Sequence, residues 1–241
     1  MTQYDLYLES GPRHKKTMVH VPQILGCMAN GPTTEEALER TPDAIRAFLS
    51  FLQRNQLTND GLPSDPTADI DVYIAEHITE GVWLGNGDPS IVFLPDLDPV
   101  SEEQIEEYIG RLDAMGREMA ALVRELEPDA LTAEPERGRP IAAILNHVLE
   151  AETGYMTAFG KIEGLPGPTS ILARQEGDIL SWTATVRGRE YEKLRSLTPD
   201  QRTKAYIPQK HVRTARKVLR RVLEHQWEHL VEVQERLGDG E

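Results

Sequence analysis

Residues 95–104 read Pro95-Asp-Leu-Asp-Pro-Val-Ser-Glu-Glu-Gln104, and this stretch separates two kinds of sequence pattern. Pro95 and Pro99 cannot continue a helix or a central strand, so they predict a short, stiff linker. The Ser101-Glu-Glu-Gln104 segment that follows is a capping-box pattern, which starts a helix. We therefore predict two domains, an α+β domain over residues 1–97 and an all-α domain over residues 98–241.

Apolar residues after the linker recur at helical spacing in four segments. The segments cover about residues 101–126, 140–159, 171–197 and 214–238. Pro140 suits a first helical turn, and Gly238 is a typical helix stop. Four amphipathic helices in succession predict an all-α four-helix bundle.

Four runs before the linker have strand character, namely residues 4–9, 17–21, 70–78 and 91–94. The first two suit a hairpin, because they are short and are bounded by Gly or Pro. The apolar period becomes helical over residues 33–53, where Thr33 or Thr34 can cap the helix. We expect a small antiparallel sheet with one main helix.

The composition is typical of a globular protein, with 39% hydrophobic and 27% charged residues. The formal net charge of −14 argues against general binding to nucleic acid or to an anionic membrane, which needs an excess of Lys and Arg. No apolar run approaches the roughly 20 residues that span a bilayer, and no signal-peptide pattern is seen, so we expect a cytoplasmic protein. Cys27 is the only cysteine, which excludes an internal disulfide, a cysteine-cluster zinc site and an iron–sulfur cluster.

Three histidines lie on the predicted inward faces of the helices. His225 and His229 are one helical turn apart, in phase with Val222 and Val233, and His147 is in phase with the apolar residues of the second helix. Buried imidazoles need a partner, and three neutral ones from two helices would form a facial set for a divalent transition metal with an open position. The alternative is that they are hydrogen-bonded core histidines or a solvated helical pair.

Four carboxylates close to these histidines in sequence are candidates for orienting the imidazoles: Glu150, Glu152, Glu224 and Glu228. The alternative is that each is an ordinary surface carboxylate. Tyr155 and Trp182 are candidates for lining a pocket, with simple core packing as their alternative. No residue is identified as a catalytic acid or base.

Two segments carry a family resemblance in the helical part. Ile144-Leu-Asn-His147-Val-Leu-Glu-Ala-Glu152 and Val222-Leu-Glu-His225-Gln-Trp-Glu-His229-Leu230 resemble the DinB-like (DinB/YfiT) four-helix-bundle superfamily, over about residues 101–237. That family carries a metal-binding histidine triad, which maps onto His147, His225 and His229. The resemblance implies a divalent transition metal, zinc or nickel first, although imidazoles alone do not separate these from iron or manganese.

Relatives in the DinB-like superfamily include transferases and isomerases that use a low-molecular-weight thiol, such as mycothiol or bacillithiol. The resemblance therefore implies a metal-dependent thiol (S-)transferase or isomerase, in which the metal binds the thiol as thiolate and presents it to an electrophile. The small-molecule partners would be a thiol and an electrophile. A homodimer is compatible with the sequence, although no apolar stripe identifies an interface.

The basic stretch from Arg202 to Arg221 contains no acidic residue and spans the start of the predicted fourth helix. Arg213 and Arg216 predict an anion site at the mouth of the bundle, for carboxylates of a thiol cofactor or of a substrate. The alternative is that the stretch pairs with the acidic first helix or with the acidic N-terminal part.

The segment Val21-Pro-Gln-Ile-Leu-Gly-Cys-Met-Ala-Asn-Gly-Pro-Thr-Thr-Glu-Glu-Ala37 is similar to the HicB-like antitoxin domain, over about residues 4–54. In that domain a strand ends in a proline, a Gly-containing turn follows, and a Thr-Glu-Glu-Ala helix packs back. HicB-like antitoxins bind an RNA-cleaving toxin and often carry a DNA-binding module, whereas a helical part follows here. This resemblance supports an alternative function, a non-catalytic binding or regulatory protein that acts on a protein partner, with a structural or vestigial metal site.

Overall fold

The computed structural model describes residues 2–59, 65–136, 138–205 and 212–238. Four strands and one long helix form the N-terminal part: β1 (Thr2–Ser10), β2 (Lys15–His20), β3 (Met28–Thr33), α1 (Thr34–Arg54) and β4 (Ile70–Ile78). The strands make one sheet in the order β3-β2-β1-β4. β2 is antiparallel to both β1 and β3, whereas β1 and β4 are parallel.

The mixed sheet differs from the antiparallel sheet that we predicted. β4 joins β1 in parallel, with Tyr4 opposite Val72 and Leu6 opposite Ile74. The chain reaches β4 only after α1, and a parallel partner requires a long crossover of this kind. Strand direction is set by this distant pairing, which the apolar pattern within a single strand does not reveal.

The strand predicted at residues 91–94 is wrong, because this segment is not part of the sheet. Ile91 and Phe93 are buried instead in a small apolar cluster with Leu84. The centroid of the Phe93 ring lies 5.4 Å from that of Tyr7 in β1. The short apolar run therefore marks burial against the sheet and not strand pairing.

Helix α1 begins where the sequence supplies a cap. Thr33 Oγ1 accepts a hydrogen bond from the backbone N–H of Glu36 (3.2 Å). Glu35 and Glu36 occupy the first turn, where negative charge is favoured by the helix dipole. The cap fixes the point at which β3 turns into the helix that covers the sheet.

Six further α-helices follow within the described ranges: α2 (Glu102–Arg124), α3 (Pro128–Thr132), α4 (Ile141–Met156), α5 (Ile179–Arg195), α6 (Pro199–Thr203) and α7 (Ala215–Gly238). The long helices contact one another in a ring, because α2 and α4 each pack against both α5 and α7. The capping box predicted at Ser101 and Gln104 is present at the start of α2. None of the helices in these ranges is both long enough and apolar enough to cross a bilayer.

Helix α5 begins later than the predicted start at residue 171. Asp178 caps it by accepting from two backbone N–H groups of the first turn, both at 3.0 Å. Gly177, just before the cap, has a φ of +74°, a left-handed conformation that ends a helical path and favours glycine. Trp182 reaches back across this turn, and its Nε1–H donates to the carbonyl oxygen of Ile171 (2.9 Å).

One contiguous apolar core joins the sheet to the helices. Phe48 and Phe51 of α1 pack on Trp227 of α7, with ring centroids 4.9 and 5.2 Å from that of Trp227. The buried Arg111 of α2 donates from Nη1 to the carbonyl oxygen of Leu25, between β2 and β3 (2.7 Å). The division at residue 97 stays a prediction, and the two parts pack closely against each other.

Candidate functional site

The three histidines selected by helical phase lie together. His147 of α4 meets His225 and His229 of α7, and we call these three residues the histidine cluster. Their ring centroids are 4.6 to 5.2 Å apart, and one potential ligand nitrogen from each ring lies within 4.8 Å of the others. The arrangement follows from the packing of α4 on α7 and from the helical step between His225 and His229.

Burial keeps two of these imidazoles neutral at pH 7. It lowers the pKa of His225 to about 2, with further lowering by His229 and Arg221. Burial also lowers the pKa of His147, and the positive charge of Arg139 adds to the effect. His147 Nε2 and His225 Nε2 lie 3.1 Å apart. Neutral imidazoles offer the lone pairs that a transition-metal ion binds.

A carboxylate holds the third ring of the cluster. The Nδ1–H of His229 donates to Glu232 Oε2 (2.7 Å), and this hydrogen bond lowers the pKa of Glu232. Glu232 also accepts from Arg236, one turn further along α7. Because Nδ1 carries the proton, Nε2 of neutral His229 keeps its lone pair. Glu232 was not among the predicted orienting carboxylates, although its i, i+3 spacing from His229 was a usable signal.

The donor set fits a divalent transition metal. Three imidazoles from two helices match the ligand number of open zinc sites, in which a further position is left for water or substrate. A carboxylate hydrogen-bonded to the far nitrogen of a ligand, as Glu232 is to His229, is the usual arrangement behind a metal-binding histidine.

A cavity of about 570 Å³ opens onto the histidine cluster. The helices supply one wall, which includes Tyr155 and Arg221, whereas Trp182 is buried in the core. The N-terminal part supplies another wall, made of Lys16, Met18, Asn30, Gly31, Pro32, Gly85 and Asn86. Small-molecule sites have volumes of about 300–1,000 Å³, so the cavity has the size of one. Both parts of the chain face any molecule that enters it.

The N-terminal part has a counterpart among known proteins. UPF0150 protein Ta0767 of Thermoplasma acidophilum is 36% identical to this chain over 56 residues, which make up 23% of this chain and 77% of that protein. The chain belongs to the UPF0150 family. UPF0150 proteins are HicB-like, and the match is consistent with a HicB-like N-terminal domain. No protein-family model matches the chain, and no solved structure matches it.

In this UPF0150 protein, Arg139 and Arg221 are the arginines that line the cavity within the described ranges. Arg213 and Arg216, for which we predicted an anion site, are not among the lining residues. Both are half-buried beside the start of α7. Their role in anion binding stays a prediction. Arg221 lines the cavity, unlike Arg213 and Arg216, because it lies one turn before His225 and therefore faces the same side of α7.

Two other members of the basic stretch form the ion pairs of the alternative interpretation. Arg202 lies 2.9 Å from Glu102 at the start of α2. Arg220 lies 2.7 Å from Asp96 of the N-terminal part, and both side chains are buried. Arg202 is thus paired with α2, the first helix of the predicted bundle, and Arg220 is paired with the N-terminal part.

The carboxylates predicted to orient the imidazoles mostly have other partners. Glu152 forms a buried ion pair with Arg187 of α5 (2.7 Å). Glu228 lines the cavity and accepts from Asn30 Nδ2 (3.1 Å). Glu150 is exposed. The surface alternative thus holds for Glu150, and Glu152 serves the packing of α4 on α5.

Glu224, directly before His225, belongs to a buried network between the two parts. It pairs with Arg220 (3.0 Å) and Arg221 (2.9 Å) on its own helix. It also accepts from His20 Nδ1 of β2 (2.9 Å). Burial alone would raise the pKa of Glu224, but Arg220 and His20 hold it at about 2. The network fastens α7 to β2 beside the histidine cluster.

Proposed function

We propose that the helical part is a DinB-like four-helix bundle that binds a divalent transition metal, zinc or nickel, through His147, His225 and His229. The observation that carries this proposal is the convergence of three imidazoles from α4 and α7 at the wall of a cavity of about 570 Å³. The ring of contacts among α2, α4, α5 and α7 supports the bundle. We further propose that the centre serves metal-dependent transfer or isomerisation with a low-molecular-weight thiol.

Each residue of the centre has its own role in this proposal. His147, His225 and His229 hold the metal, and Glu232 fixes the orientation and tautomer of the His229 ring. A bound divalent cation supplies a positive charge that lowers the pKa of a thiol and favours its nucleophilic form. His229 and the neighbouring Glu224 network are buried, and exclusion of water makes nearby charges act more strongly.

The thiol in this proposal comes from a separate small molecule. Cys27 is the only cysteine of the chain, and it lies in the core between β2 and α1, 1% exposed. Its Sγ–H donates to the carbonyl oxygen of Ala44 (3.9 Å), and burial raises the pKa of the thiol. A buried and protonated thiol is a poor nucleophile, so Cys27 acts as an apolar core residue.

Metal content tests the proposal directly. Untagged protein purified without chelators is analysed by plasma mass spectrometry beside His147→Ala, His225→Ala and His229→Ala, with helix content checked by circular dichroism. We expect about one equivalent of a transition metal in the wild type and little in each variant, as for a three-histidine site. His77→Ala removes an imidazole outside the cluster and should retain the metal. Stoichiometric metal in all three cluster variants, or none in folded wild-type protein after reconstitution, would overturn the proposal.

The UPF0150 match favours a second function. In this alternative the protein is a non-catalytic binding or regulatory protein that acts on a protein partner through its HicB-like part, and the metal is structural or vestigial. Cobalt-substituted protein separates the two functions, because cobalt spectra respond to a change of ligands. A thiolate-to-cobalt charge-transfer band on addition of mercaptoethanol indicates an open position and favours the thiol enzyme. An unchanged spectrum favours the structural metal.

A further inference from the structure

Among the residues that the structure describes, the cavity beside the histidine cluster is lined by more positive than negative side chains. Its cations in this set are Lys16 of β2, Arg139 just before α4 and Arg221 of α7. The carboxylate in the same set is Glu228, which accepts a hydrogen bond from Asn30. The described lining therefore carries a net positive charge in a protein whose formal net charge is −14. A local reversal of charge in a concave site concentrates anions there.

Arg221 has hydrogen-bonding capacity left over. The side chain is buried. Its Nη1 donates to Glu224 Oε2 (2.9 Å), and its Nη2 donates to the Tyr155 hydroxyl oxygen (3.5 Å). Arg220 draws on the same carboxylate, so the two guanidinium groups share it. Among the residues that the structure describes, Nε of Arg221 has no hydrogen-bond partner. A guanidinium carries five N–H donors, and a buried cation with incomplete pairing gains from an added anion.

Two glycines bring the loop before residue 88 against these cations. Gly87 has a φ of +75°, and a Cβ placed there would lie 1.9 Å from Arg221 Nη2. Gly85 has a φ of +74°, and its Cβ would lie 1.7 Å from the carbonyl oxygen of Lys16. The next residue, Asn86, accepts a hydrogen bond from Lys16 Nζ. The loop therefore holds Lys16 and Arg221 in place from the side of the N-terminal part.

Lys16 itself has an unusual backbone conformation. Its φ of +59° is in the left-handed region, which non-glycine residues rarely occupy inside a strand. The carbonyl oxygen of Lys16 accepts from the backbone N–H of Gly11 (3.2 Å). Strain of this kind persists where surrounding contacts enforce it, and it is concentrated at functional sites. Here it places an ammonium group at the rim of the cavity.

We infer that the cavity binds a small organic anion whose carboxylate or phosphate group lies against Arg139 and Arg221. The other end of the molecule faces the histidine cluster, a placement that rests on the proposed metal function. Planar guanidinium groups suit both kinds of oxyanion. The N-terminal part supplies Lys16 and Asn86 to the same ligand. A HicB-like sheet is used here as one wall of a small-molecule site.

Calorimetric titration of the full-length protein tests this inference. Succinate and inorganic phosphate are the two anionic probes, and succinamide is the uncharged analogue of succinate. We expect saturable binding of at least one anion, weakened by added salt, and no binding of succinamide. The anion that binds identifies the carboxylate or the phosphate class.

Matched variants locate the binding. Arg139→Gln, at an exposed position, should weaken binding by about tenfold or more, the effect of losing one charge-assisted contact. Lys16→Gln should weaken binding less, because Lys16 lies at the rim. Arg189→Gln removes an exposed arginine of α5 that pairs with Glu192, and it should bind as the wild type does. Equal affinity in Arg139→Gln and Arg189→Gln would overturn the inference, as would the absence of binding for both anions.

Metal content measured on the same samples separates this inference from the proposed function. Full metal content together with weakened anion binding in Arg139→Gln supports both the anion site and the proposed metal function. Anion binding that depends on Arg139 in a protein without metal leaves the inference standing while the metal proposal falls. Full metal content with no anion binding overturns the inference alone.

Discussion

His20 and Glu224 are 204 positions apart in the chain, yet His20 Nδ1 and Glu224 Oε1 lie 2.9 Å apart and both side chains are buried. The contact joins β2 to α7 directly before His225. Because the same residues tie the sheet to the helix that carries two of the proposed ligands, the stability of the fold and the geometry of the centre depend on one network.

Glu224→Gln should destabilise the protein strongly. The change removes the negative charge that Arg220 and Arg221 share, while Asp96 still pairs with Arg220. We expect the free energy of unfolding to fall by about 3 kcal/mol, because breaking a buried ion pair from one side costs roughly 3–5 kcal/mol. Urea denaturation measures the change. Glu150→Gln, at an exposed site of α4, should cost less than about 0.5 kcal/mol, and equal losses would contradict the prediction.

Glu232→Gln should weaken the metal site without unfolding the protein. The amide can still accept the hydrogen bond from His229, but it no longer carries the charge that raises the basicity of the ring. We expect metal affinity to fall by about 10–100-fold, the usual effect of removing such a carboxylate. Competition with a chromophoric chelator measures it. Glu235→Gln, exposed on the same helix, is the control, and an affinity equal to that of the control would count against the role of Glu232.

Lys217 should make stability depend on pH in the alkaline range. Burial lowers its pKa from 10.5 to about 8, although Asp96 opposes that shift. Between these two pH values the unfolded chain binds the proton more tightly than the folded protein does, so stability gains a positive contribution as pH rises. The burial penalty of charged Lys217 is therefore fully present at pH 7 and is relieved above pH 8.

Lys217→Met tests this sign. The free energy of unfolding of the variant minus that of the wild type should be larger at pH 7 than at pH 9.5. We expect the two differences to be about 1–2 kcal/mol apart, since one pKa unit corresponds to about 1.4 kcal/mol. Denaturant titrations at the two pH values give the difference. Lys161→Met, at an exposed position, should show no such change. A Lys217→Met difference that is constant with pH would refute the prediction.

Gly87 and Gly177 form a natural comparison. Both have a positive φ, +75° and +74°, but a Cβ at Gly87 would lie 1.9 Å from Arg221 Nη2, whereas a Cβ at Gly177 would meet open space among the described residues. Alanine at either site should cost about 1 kcal/mol through the backbone. Gly87→Ala must also displace a buried guanidinium, and we expect about 2 kcal/mol more. Thermal unfolding of the two variants measures the excess, and equal losses would show that Arg221 moves freely.

Features set by local chemistry could be predicted from the sequence. The Thr33 cap, the capping box at Ser101 and the shared face of His225 and His229 depend on residues within a turn or two of one another. His147 lies 78 positions before His225, and its meeting with this pair could be predicted because His147 has the same inward phase on another helix of the predicted bundle. Whether the cluster holds a metal stays a prediction, because the lone pairs and spacing of the imidazoles show that the cluster can bind a metal ion and not that an ion is bound.

Features set by contacts between distant segments could not be predicted in this way. The parallel pairing of β1 with β4 needs the crossover through α1, and the apolar run at residues 91–94 looks the same whether it joins a sheet or covers one. The meeting of Lys16 with Arg221 in one cavity depends on how α7 docks on the sheet. Side chains more than 200 positions apart leave no periodic signal in a single sequence.

The packing of Trp227 against Phe48 and Phe51 gives the protein an internal optical probe. Trp227 lies on α7 between His225 and His229 in sequence, yet its buried ring packs on the rings of α1. Trp83, by contrast, is 66% exposed, so its emission is that of an indole in water. Replacing Trp83 would leave the blue-shifted fluorescence of the buried indoles, including Trp227. Separation of α7 from α1 would expose Trp227 to water and shift its emission to longer wavelength, a change that can be followed in real time.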